Sequence, residues 1–212
     1  MTIEEKLIEN IKSIGNNEYK YEPHKYHVTE LLYCIKKPIL NRLLPDVRTE
    51  PNTNMIIGSI FHKVLPYITR DIKEFEGAEY EKPLSIEYKG VNIVGKADVV
   101  TDEYIYEFKF TSNVLDSYKR QANIYACLNE TSKYKVISFI KSKNKYKNDI
   151  KIDIYKGETD KTECYAFLEI AVLIDTILNS DINIEKLNSY KLKPVYNFEC
   201  YGCVFKEFCK QK

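Results

Sequence analysis

Glycine and proline are scarce in this chain, and no apolar run is long enough for a membrane span. Seven glycines and seven prolines among 212 residues make about 7%, where roughly 12% is usual. Long flexible linkers, collagen-like repeats and low-complexity arrays are therefore excluded. A membrane helix needs about 18 consecutive apolar residues, and no run in the sequence approaches that length. The first fifteen residues mix acidic and basic side chains and lack the apolar core of a signal peptide. We expect a cytoplasmic protein without a secretory signal or a membrane partner.

An excess of charge of one sign is also lacking. The 32 Lys and Arg residues face 31 Asp and Glu residues, for a formal net charge of +1. No overall field therefore draws the chain to nucleic acid or anionic lipid, although local patches can still do so. The length suits one domain, and a content of 44% hydrophobic and 30% charged residues is enough to bury a core.

Helical and strand patterns occur in separate blocks. Apolar spacing predicts helices at 2–14, about 29–44, about 55–75, about 113–129 and about 162–178. Period-two patterns predict strands at 80–88, 91–100, 104–110, 135–141 and 150–155. We expect a Lys89-Gly90 turn, a break or kink at Pro38, a kink at Pro66, and a connector over residues 15–27. Strands concentrated between two blocks of helices predict a compact α/β or α+β domain.

Two carboxylates and a lysine mark neighbouring strands. Asp98 interrupts an apolar run, where a charge must be paired, metal-bound or exposed. On the next strand Glu107 and Lys109 share one face, because strand side chains alternate. A two- or four-residue turn between the strands would place Asp98 opposite Glu107, whereas a three-residue turn without a bulge would place them on opposite faces. The candidate site therefore requires an even loop.

A pair of facing carboxylates is tolerated best around a divalent cation. Oxygen ligands suit Mg²⁺ or Mn²⁺, and Lys109 could hold the water that attacks a phosphodiester while the cation lowers the pKa of that water. The alternative is an ordinary amphipathic edge strand, because acid-x-Lys triplets also begin at Glu4, Glu18, Asp71, Glu87 and Asp149. The Asp in an apolar strand, combined with the later Glu and Lys, favours a site.

Further features flank this hairpin. His62, on the preceding helix, is either a surface or core histidine or a nitrogen ligand for the same metal. Gln121 and Tyr125 share a helix face. Either Tyr125 is core with Gln121 at its border, or both point over the hairpin toward a phosphate or the metal water. A loop alternates lysines with polar residues, at Lys141, Lys143, Lys145 and Lys147. This loop either binds DNA phosphates beside a stacking tyrosine or is simply solvated.

Half of the six cysteines crowd the last thirteen residues, at Cys200, Cys203 and Cys209. Their C-x2-C-x5-C spacing indicates a soft metal centre that needs a fourth ligand. Cys34 is the better candidate, since Cys127 and Cys164 lie inside predicted helices and are expected to be small core residues. A disulfide framework is not expected in a reducing compartment. Zinc held by four cysteines is the rival, but zinc ribbons usually pair two close doublets, so the spacing favours iron–sulfur.

The order of these motifs resembles that of RecB-like nucleases in the PD-(D/E)XK superfamily. The motifs are the helical His62, then Gly95-Lys96-Ala97-Asp98, Glu107-Phe108-Lys109 and Gln121-x3-Tyr125. With an early cysteine and the terminal C-x2-C-x5-C, the sequence is similar to the CRISPR-associated protein 4 family, including versions carried by archaeal viruses. The likeness extends over about residues 29–210.

This resemblance implies a restriction-endonuclease-like α/β core, a mixed β-sheet flanked by helices. One nuclease domain would span residues 29–212 after an N-terminal helix and connector at 1–28. Residues 196–212 would complete a cluster site that joins the N- and C-terminal parts. The implied ligands of this [4Fe–4S] cluster are Cys34, Cys200, Cys203 and Cys209.

The resemblance also implies Mn²⁺- or Mg²⁺-dependent cleavage of single-stranded DNA. The enzyme would be a 5′-to-3′ exonuclease, with endonuclease activity left open, in CRISPR spacer acquisition or viral DNA metabolism. Its partners would include CRISPR integrase proteins, and homo-oligomers are left open. The implied metal ligands are His62, Asp98, Glu107 and the Phe108 carbonyl. Lys109 would be the catalytic lysine, with Gln121 and Tyr125 supporting the substrate. A non-catalytic protein that holds DNA ends for an integrase or recombination complex is the alternative.

Overall fold

The computed structural model describes residues 2–15, 21–47, 52–111, 113–141, 150–190, 192 and 197–209. The helices are α1 (Ile3–Gly15), α2 (Val28–Leu31), α3 (Lys36–Leu43), α4 (Thr53–Thr69), α5 (Asp116–Leu128), α6 (Lys161–Leu178) and α7 (Ile184–Ser189), with short 3-10 turns at Lys73–Phe75 and Asn197–Cys200. The strands are β1 (Lys25–His27), β2 (Glu79–Tyr88), β3 (Val91–Val100), β4 (Ile105–Thr111), β5 (Lys133–Lys141) and β6 (Ile150–Glu158). Within the described residues, none of these helices combines the length and apolar character that crossing a bilayer requires.

A tight hairpin joins the two ten-residue strands. β2 and β3 pair antiparallel along their length, except at Glu81 and Asp98, which the register places opposite each other. Lys89 and Gly90 connect them, and both have positive φ, at 49° and 79°. A two-residue type I′ turn requires this backbone conformation. The predicted Lys89-Gly90 turn is therefore confirmed, and it sets the register of the whole hairpin.

In the part of the chain that the structure describes, six strands form one mixed sheet. β2 lies along the whole of one edge of β3 and pairs with all of its residues except Asp98, so β1 and β4 share the other edge. β1 pairs there in parallel with Asn92–Val94, and β4 pairs antiparallel with Val99 and Val100. β5 adds in parallel to β4, and β6 antiparallel to β5. Residues 95–98 of β3 therefore have no described strand beside them on this edge, and the candidate site collects at this opening.

Helices cover both faces of the sheet. Side chains of β4 alternate between two hydrophobic clusters, with Ile105 in the larger cluster and Tyr106 in the smaller one. The larger cluster also contains residues of α2, α3, α5 and α6, together with Phe205 of the C-terminal segment. The smaller cluster contains Leu65 of α4 and Phe75. Helices α4 and α5 consequently lie on opposite faces of β4, and each can direct side chains to the opening in the sheet.

Several predicted boundaries differ from the structure. The segment predicted as a helix over about 29–44, broken or kinked at Pro38, is two helices, α2 and α3. They divide before α3 and not at Pro38, which lies in the first turn of α3, where its missing N–H costs nothing. Helix α4 begins after Asn52, whose side chain accepts a hydrogen bond from Met55 N, and ends at Thr69. It continues through Pro66. The connector predicted over 15–27 contains strand β1. This strand has only three residues, which is too short for an alternating pattern to predict it.

The expectation of uniformly reduced cysteines is wrong. Cys127 of α5 and Cys164 of α6 form a disulfide. Both residues do pack in or against the larger core, as predicted, and Cys164 is fully buried. The two helices lie against each other on one face of the sheet, which brings the two thiols together across 37 positions of sequence. Residue types within single helices do not reveal such a pairing.

Candidate active site

The loop between β3 and β4 has the even length that the site requires. Val100 pairs with Ile105, which leaves a four-residue connection over 101–104. Continuing this register places Asp98 opposite Glu107. The strands do not complete their ladder there, because Asp98 Oδ2 accepts the backbone N–H of Phe108 at 2.7 Å. The Asp98 carboxylate is thereby fixed at the opening in the sheet.

Glu107 is a buried carboxylate without hydrogen bonds. It is 0% exposed, and neither of its carboxylate oxygens accepts a hydrogen bond from any residue that the structure describes. Its neighbour on the same strand face is Lys109, whose Nζ lies 2.5 Å from Glu107 Oε1. Burial and the nearby Asp98 carboxylate raise the pKa of Glu107 from 4.5 to about 7, against the attraction of Lys109. The folded chain therefore disfavours the ionised form of this carboxylate unless a further positive charge is supplied.

Lys109 remains a cation in this environment. Burial alone would lower the pKa of its ammonium group, but the carboxylates of Glu107 and Asp98 outweigh burial and raise the pKa well above its ordinary value. Lys109 therefore offers N–H donors and a positive charge, and it is not a proton acceptor near neutral pH.

His62 reaches the same opening from α4, on the other side of the sheet from α5. Its Nδ1 lies 3.1 Å from Asp98 Oδ1, without the geometry of a hydrogen bond to any described residue. Burial lowers the pKa of the imidazole, whereas Asp98 raises it, and the net effect is a pKa above the ordinary value. A ring nitrogen that faces a carboxylate at this distance is well placed for both atoms to hold one cation.

Glu81 of β2 completes this group, and the sequence reasoning missed it. One ligand atom each from His62, Glu81 and Asp98 lies within 4.8 Å of the other two. Among the described residues this is the one such group of three or more His, Cys, Asp or Glu side chains. The Lys89-Gly90 turn could have indicated Glu81, since counting back from a two-residue turn pairs position 81 with position 98.

The predicted metal ligands are thus only partly brought together. Glu107 lies outside the tight group of His62, Glu81 and Asp98 and is held instead beside Lys109. Phe108 donates its N–H to Asp98, and its ring packs in the smaller core.

Helix α5 places the last two predicted residues over the opening. Gln121 Nε2 donates a hydrogen bond to the Tyr125 hydroxyl at 3.2 Å. Tyr125 is 3% exposed and belongs to the larger core, and burial and Glu107 raise the pKa of its hydroxyl well above the ordinary value. Its ring lies so close to Gly95 that a Cβ on Gly95 would be 2.5 Å from Tyr125 Cε1. Tyr125 is therefore a core residue that also borders the opening at Gly95, and its contact with a phosphate or the metal water stays a prediction.

The four cysteines predicted to bind a cluster, Cys34, Cys200, Cys203 and Cys209, are free thiols. The backbone N–H of Cys34 donates to Glu199 Oε2 at 2.7 Å, which ties the link between α2 and α3 to the C-terminal segment. Burial raises the pKa of the Cys34 thiol, and Glu199 and Cys209 contribute in the same direction. Burial likewise raises the pKa of Cys200, followed by Cys203 and Cys209.

The spacing of the four sulfur atoms bears on the metal that they could hold. Zn–S bonds of about 2.3 Å in a tetrahedron place sulfur atoms about 3.8 Å apart. In the described part of the chain, no three of these thiols lie within 4.8 Å of one another. The thiols as described are therefore not arranged as a preformed zinc tetrahedron.

The predicted lysine loop lies mostly outside the described residues, which include none of Lys143, Lys145 and Lys147. Lys141 is the last residue of β5.

Comparison with known proteins identifies the fold. No protein-family model and no curated protein matches the chain. The crystal structure of SSO0001 aligns with a TM-score of 0.70 at 19% identity, covering 99% of this chain and 97% of that one. LHK-Exo, an alkaline exonuclease from Laribacter hongkongensis solved in complex with dAMP, aligns with a TM-score of 0.52 at 12% identity, covering 78% of this chain and 93% of that one. The chain has an exonuclease-like fold. The predicted fold class is a mixed β-sheet flanked by helices, as in restriction-endonuclease-like proteins. The mixed six-stranded sheet of the described residues and its likeness to the LHK-Exo structure confirm this fold class.

Proposed function

We propose that the chain is a metal-dependent nuclease that hydrolyses phosphodiester bonds of DNA. The observation that carries this proposal is Glu107, a fully buried carboxylate whose one described partner is the Lys109 ammonium and which lies near the Asp98 carboxylate. Such a group weakens the fold when it is ionised, and strongly perturbed carboxylates of this kind concentrate at functional sites. The imidazole and carboxylate ligands next to it suit Mn²⁺ or Mg²⁺.

Each residue of the candidate site would have a separate role in hydrolysis. A divalent cation, when bound, would lower the pKa of a water and neutralise charge on the phosphate. Asp98, fixed by the Phe108 N–H, and His62 would hold the cation, with Glu107 next to them. Lys109, as an ammonium, would donate hydrogen bonds to the attacking water or to a phosphate oxygen. The Tyr125 ring closes the inner side of the site, with its hydroxyl supported by Gln121.

The finer assignment rests on the resemblance to the CRISPR-associated protein 4 family. We propose single-stranded DNA as substrate, 5′-to-3′ exonuclease action, and a role in spacer acquisition beside integrase proteins or in viral DNA metabolism. We also propose a [4Fe–4S] cluster on Cys34, Cys200, Cys203 and Cys209. The bond from Cys34 N–H to Glu199 and the fully buried Phe205 support it, since both hold the C-terminal segment where a cluster would join it to the link between α2 and α3.

Purified protein incubated with end-labelled single-stranded and duplex DNA tests the function. We expect cleavage with Mn²⁺ or Mg²⁺ and none with EDTA. Asp98→Asn or Lys109→Met should lower kcat/KM by about 10²-fold or more. Lys135→Met is the matched control and should retain cleavage. Lys135 is also buried and paired with a glutamate, Glu74, but it lies on the sheet face of the smaller core, away from Glu107 and Lys109. Full activity of Lys109→Met would refute the assignment, and DNA binding without product would favour the end-holding accessory.

A further inference from the structure

Glu81 and Lys96 form an ion pair beside His62 and Asp98. Glu81 lies on β2, where the pairs on both sides of it, Tyr80 with Val99 and Lys82 with Ala97, keep one register. Position 81 is therefore directly opposite Asp98. The pairing of β2 with β3 is interrupted at these two residues alone and resumes with Lys82 and Ala97.

The backbone of Glu81 is unusual for a strand residue. Its φ is +53°, in the left-handed region that a residue with a Cβ rarely adopts. No extra residue is inserted, since the register on both sides is unchanged. Conformations of this kind persist where the surrounding structure holds a side chain in a required position. Here the result is that a carboxylate oxygen of Glu81 lies within 4.8 Å of ligand atoms of both His62 and Asp98.

The three ligands differ in their access to solvent. The side chain of Asp98 is 9% exposed, that of His62 26% and that of Glu81 40%. Glu81 is therefore the most exposed member of the group, whereas the nearby Glu107 is fully buried. The His62 Nδ1 atom is buried and has no hydrogen-bond partner among the described residues, although it lies 3.1 Å from Asp98. A cation between these groups would supply the missing partner.

Lys96 already supplies one positive charge at this position. Its ammonium group pairs with Glu81 Oε2, and its side chain is 58% exposed. An exposed ion pair is weak and is exchanged readily, because water solvates the ammonium as it leaves. Lys96 lies two residues before Asp98 on β3, so the two side chains are on the same face of this strand.

We propose that Glu81 is a direct ligand of the catalytic divalent cation, and that Lys96 pairs with its carboxylate when the cation is absent. Glu81, His62 and Asp98 would hold the cation, and Lys96 would give up its ion pair with Glu81 when the cation is bound. This inference rests on the proposed function for the identity of the cation, but it adds a ligand and a competing internal charge.

Mn²⁺ titration of the full chain, with free Mn²⁺ measured by electron paramagnetic resonance, tests the inference without DNA. Glu81→Gln should weaken binding by at least about tenfold, since even groups that only orient ligands change affinity by about 10–100-fold. Glu81→Asp keeps the charge and shortens the side chain, so it should also weaken binding if Glu81 is a ligand. Glu79→Gln is the control, because Glu79 lies on the same strand and pairs with Lys82. Lys96→Met should tighten binding severalfold.

The possible results separate the two proposals. Wild-type affinity in Glu81→Asp, or equal effects of Glu81→Gln and Glu79→Gln, would overturn Glu81 as a ligand, since only the electrostatic field would then matter. Unchanged or weaker binding in Lys96→Met would overturn the competing ion pair. His62→Ala and Asp98→Asn report on the cation site itself: if they also bind Mn²⁺ normally, the metal site of the proposed function fails. Unfolding of each variant in EDTA shows whether it is folded.

Discussion

Gly95→Ala tests how tightly the site is built around Tyr125. A Cβ at position 95 would lie 2.5 Å from Tyr125 Cε1, 3.3 Å from Tyr125 Cδ1 and 3.3 Å from Val28 Cγ2. Carbon atoms in favourable contact are about 3.5–4.0 Å apart. The ring must therefore move by about 1 Å. Since Tyr125 is buried between β3 and its own helix, that movement strains the core and displaces the hydroxyl that Gln121 holds.

The expected loss of stability follows from these contacts. Overfilling a packed core costs about 1–3 kcal/mol, and losing the Gln121 hydrogen bond adds about 1 kcal/mol. A loss of about 2–4 kcal/mol corresponds to a fall in Tm of roughly 5–15 °C for a chain of this length. Gly58→Ala is the matched control. A Cβ there has no atom within 4 Å, and alanine inside α4 should stabilise the fold by about 0.5–1 kcal/mol.

Urea unfolding of EDTA-treated protein measures these changes, and a double-mutant cycle with Tyr125→Ala identifies their cause. If the ring is what excludes a Cβ, Gly95→Ala should cost little in the Tyr125→Ala background. The same loss in both backgrounds would refute the reasoning. We also expect Gly95→Ala to lower the cleavage rate, because its effect reaches the site through Tyr125.

Two further predictions concern the cysteines and the buried carboxylate. Cys203→Ser should remove brown colour, iron and sulfide from the purified protein and lower its Tm. Asp98→Asn is the control and should leave the colour intact. Zinc in the purified protein, in place of iron and sulfide, would contradict the proposed cluster. In metal-free protein, burial raises the pKa of Glu107 to about 7. The unfolded chain therefore releases this proton first as pH rises, and stability should fall by roughly 3 kcal/mol between about pH 4.5 and pH 7. Glu107→Gln should remove that fall in urea unfolding in EDTA, and the exposed Glu87→Gln should not. An identical pH dependence in Glu107→Gln would contradict the assignment.

The features that sequence predicted well depend on short stretches of chain. The Lys89-Gly90 turn and the four-residue loop over 101–104 are local, and together they determine which residues of β2, β3 and β4 face each other. The position of Asp98 opposite Glu107 followed from counting residues across the second of these turns. The opposing strands and the order of helices and strands could therefore be predicted without knowledge of tertiary contacts.

The features that the sequence did not predict depend on contacts between distant segments or on backbone strain. The Cys127–Cys164 disulfide joins two helices that the alternation of residue types places correctly but does not orient. Strand β1 is three residues long and is defined by its pairing with β3. Glu81 could be placed opposite Asp98 by counting, but its left-handed backbone could not be foreseen, because nothing in its residue type favours that conformation.

The opening in the sheet and the chemistry of the site have one origin. In a complete antiparallel ladder, the N–H of Phe108 would bond to a backbone carbonyl of β3, but the Asp98 side chain accepts it instead. The side chain therefore replaces the strand partner, and along their described residues β3 and β4 pair at Val99 and Val100 before they separate. The separation leaves room for Tyr125 over Gly95 and keeps the Asp98 carboxylate beside His62. Asparagine at 98 would retain the acceptor and lose the charge, whereas alanine would leave the Phe108 N–H unpaired. For this reason Asp98→Asn separates the chemistry of Asp98 from its role in the fold, and Asp98→Ala would not.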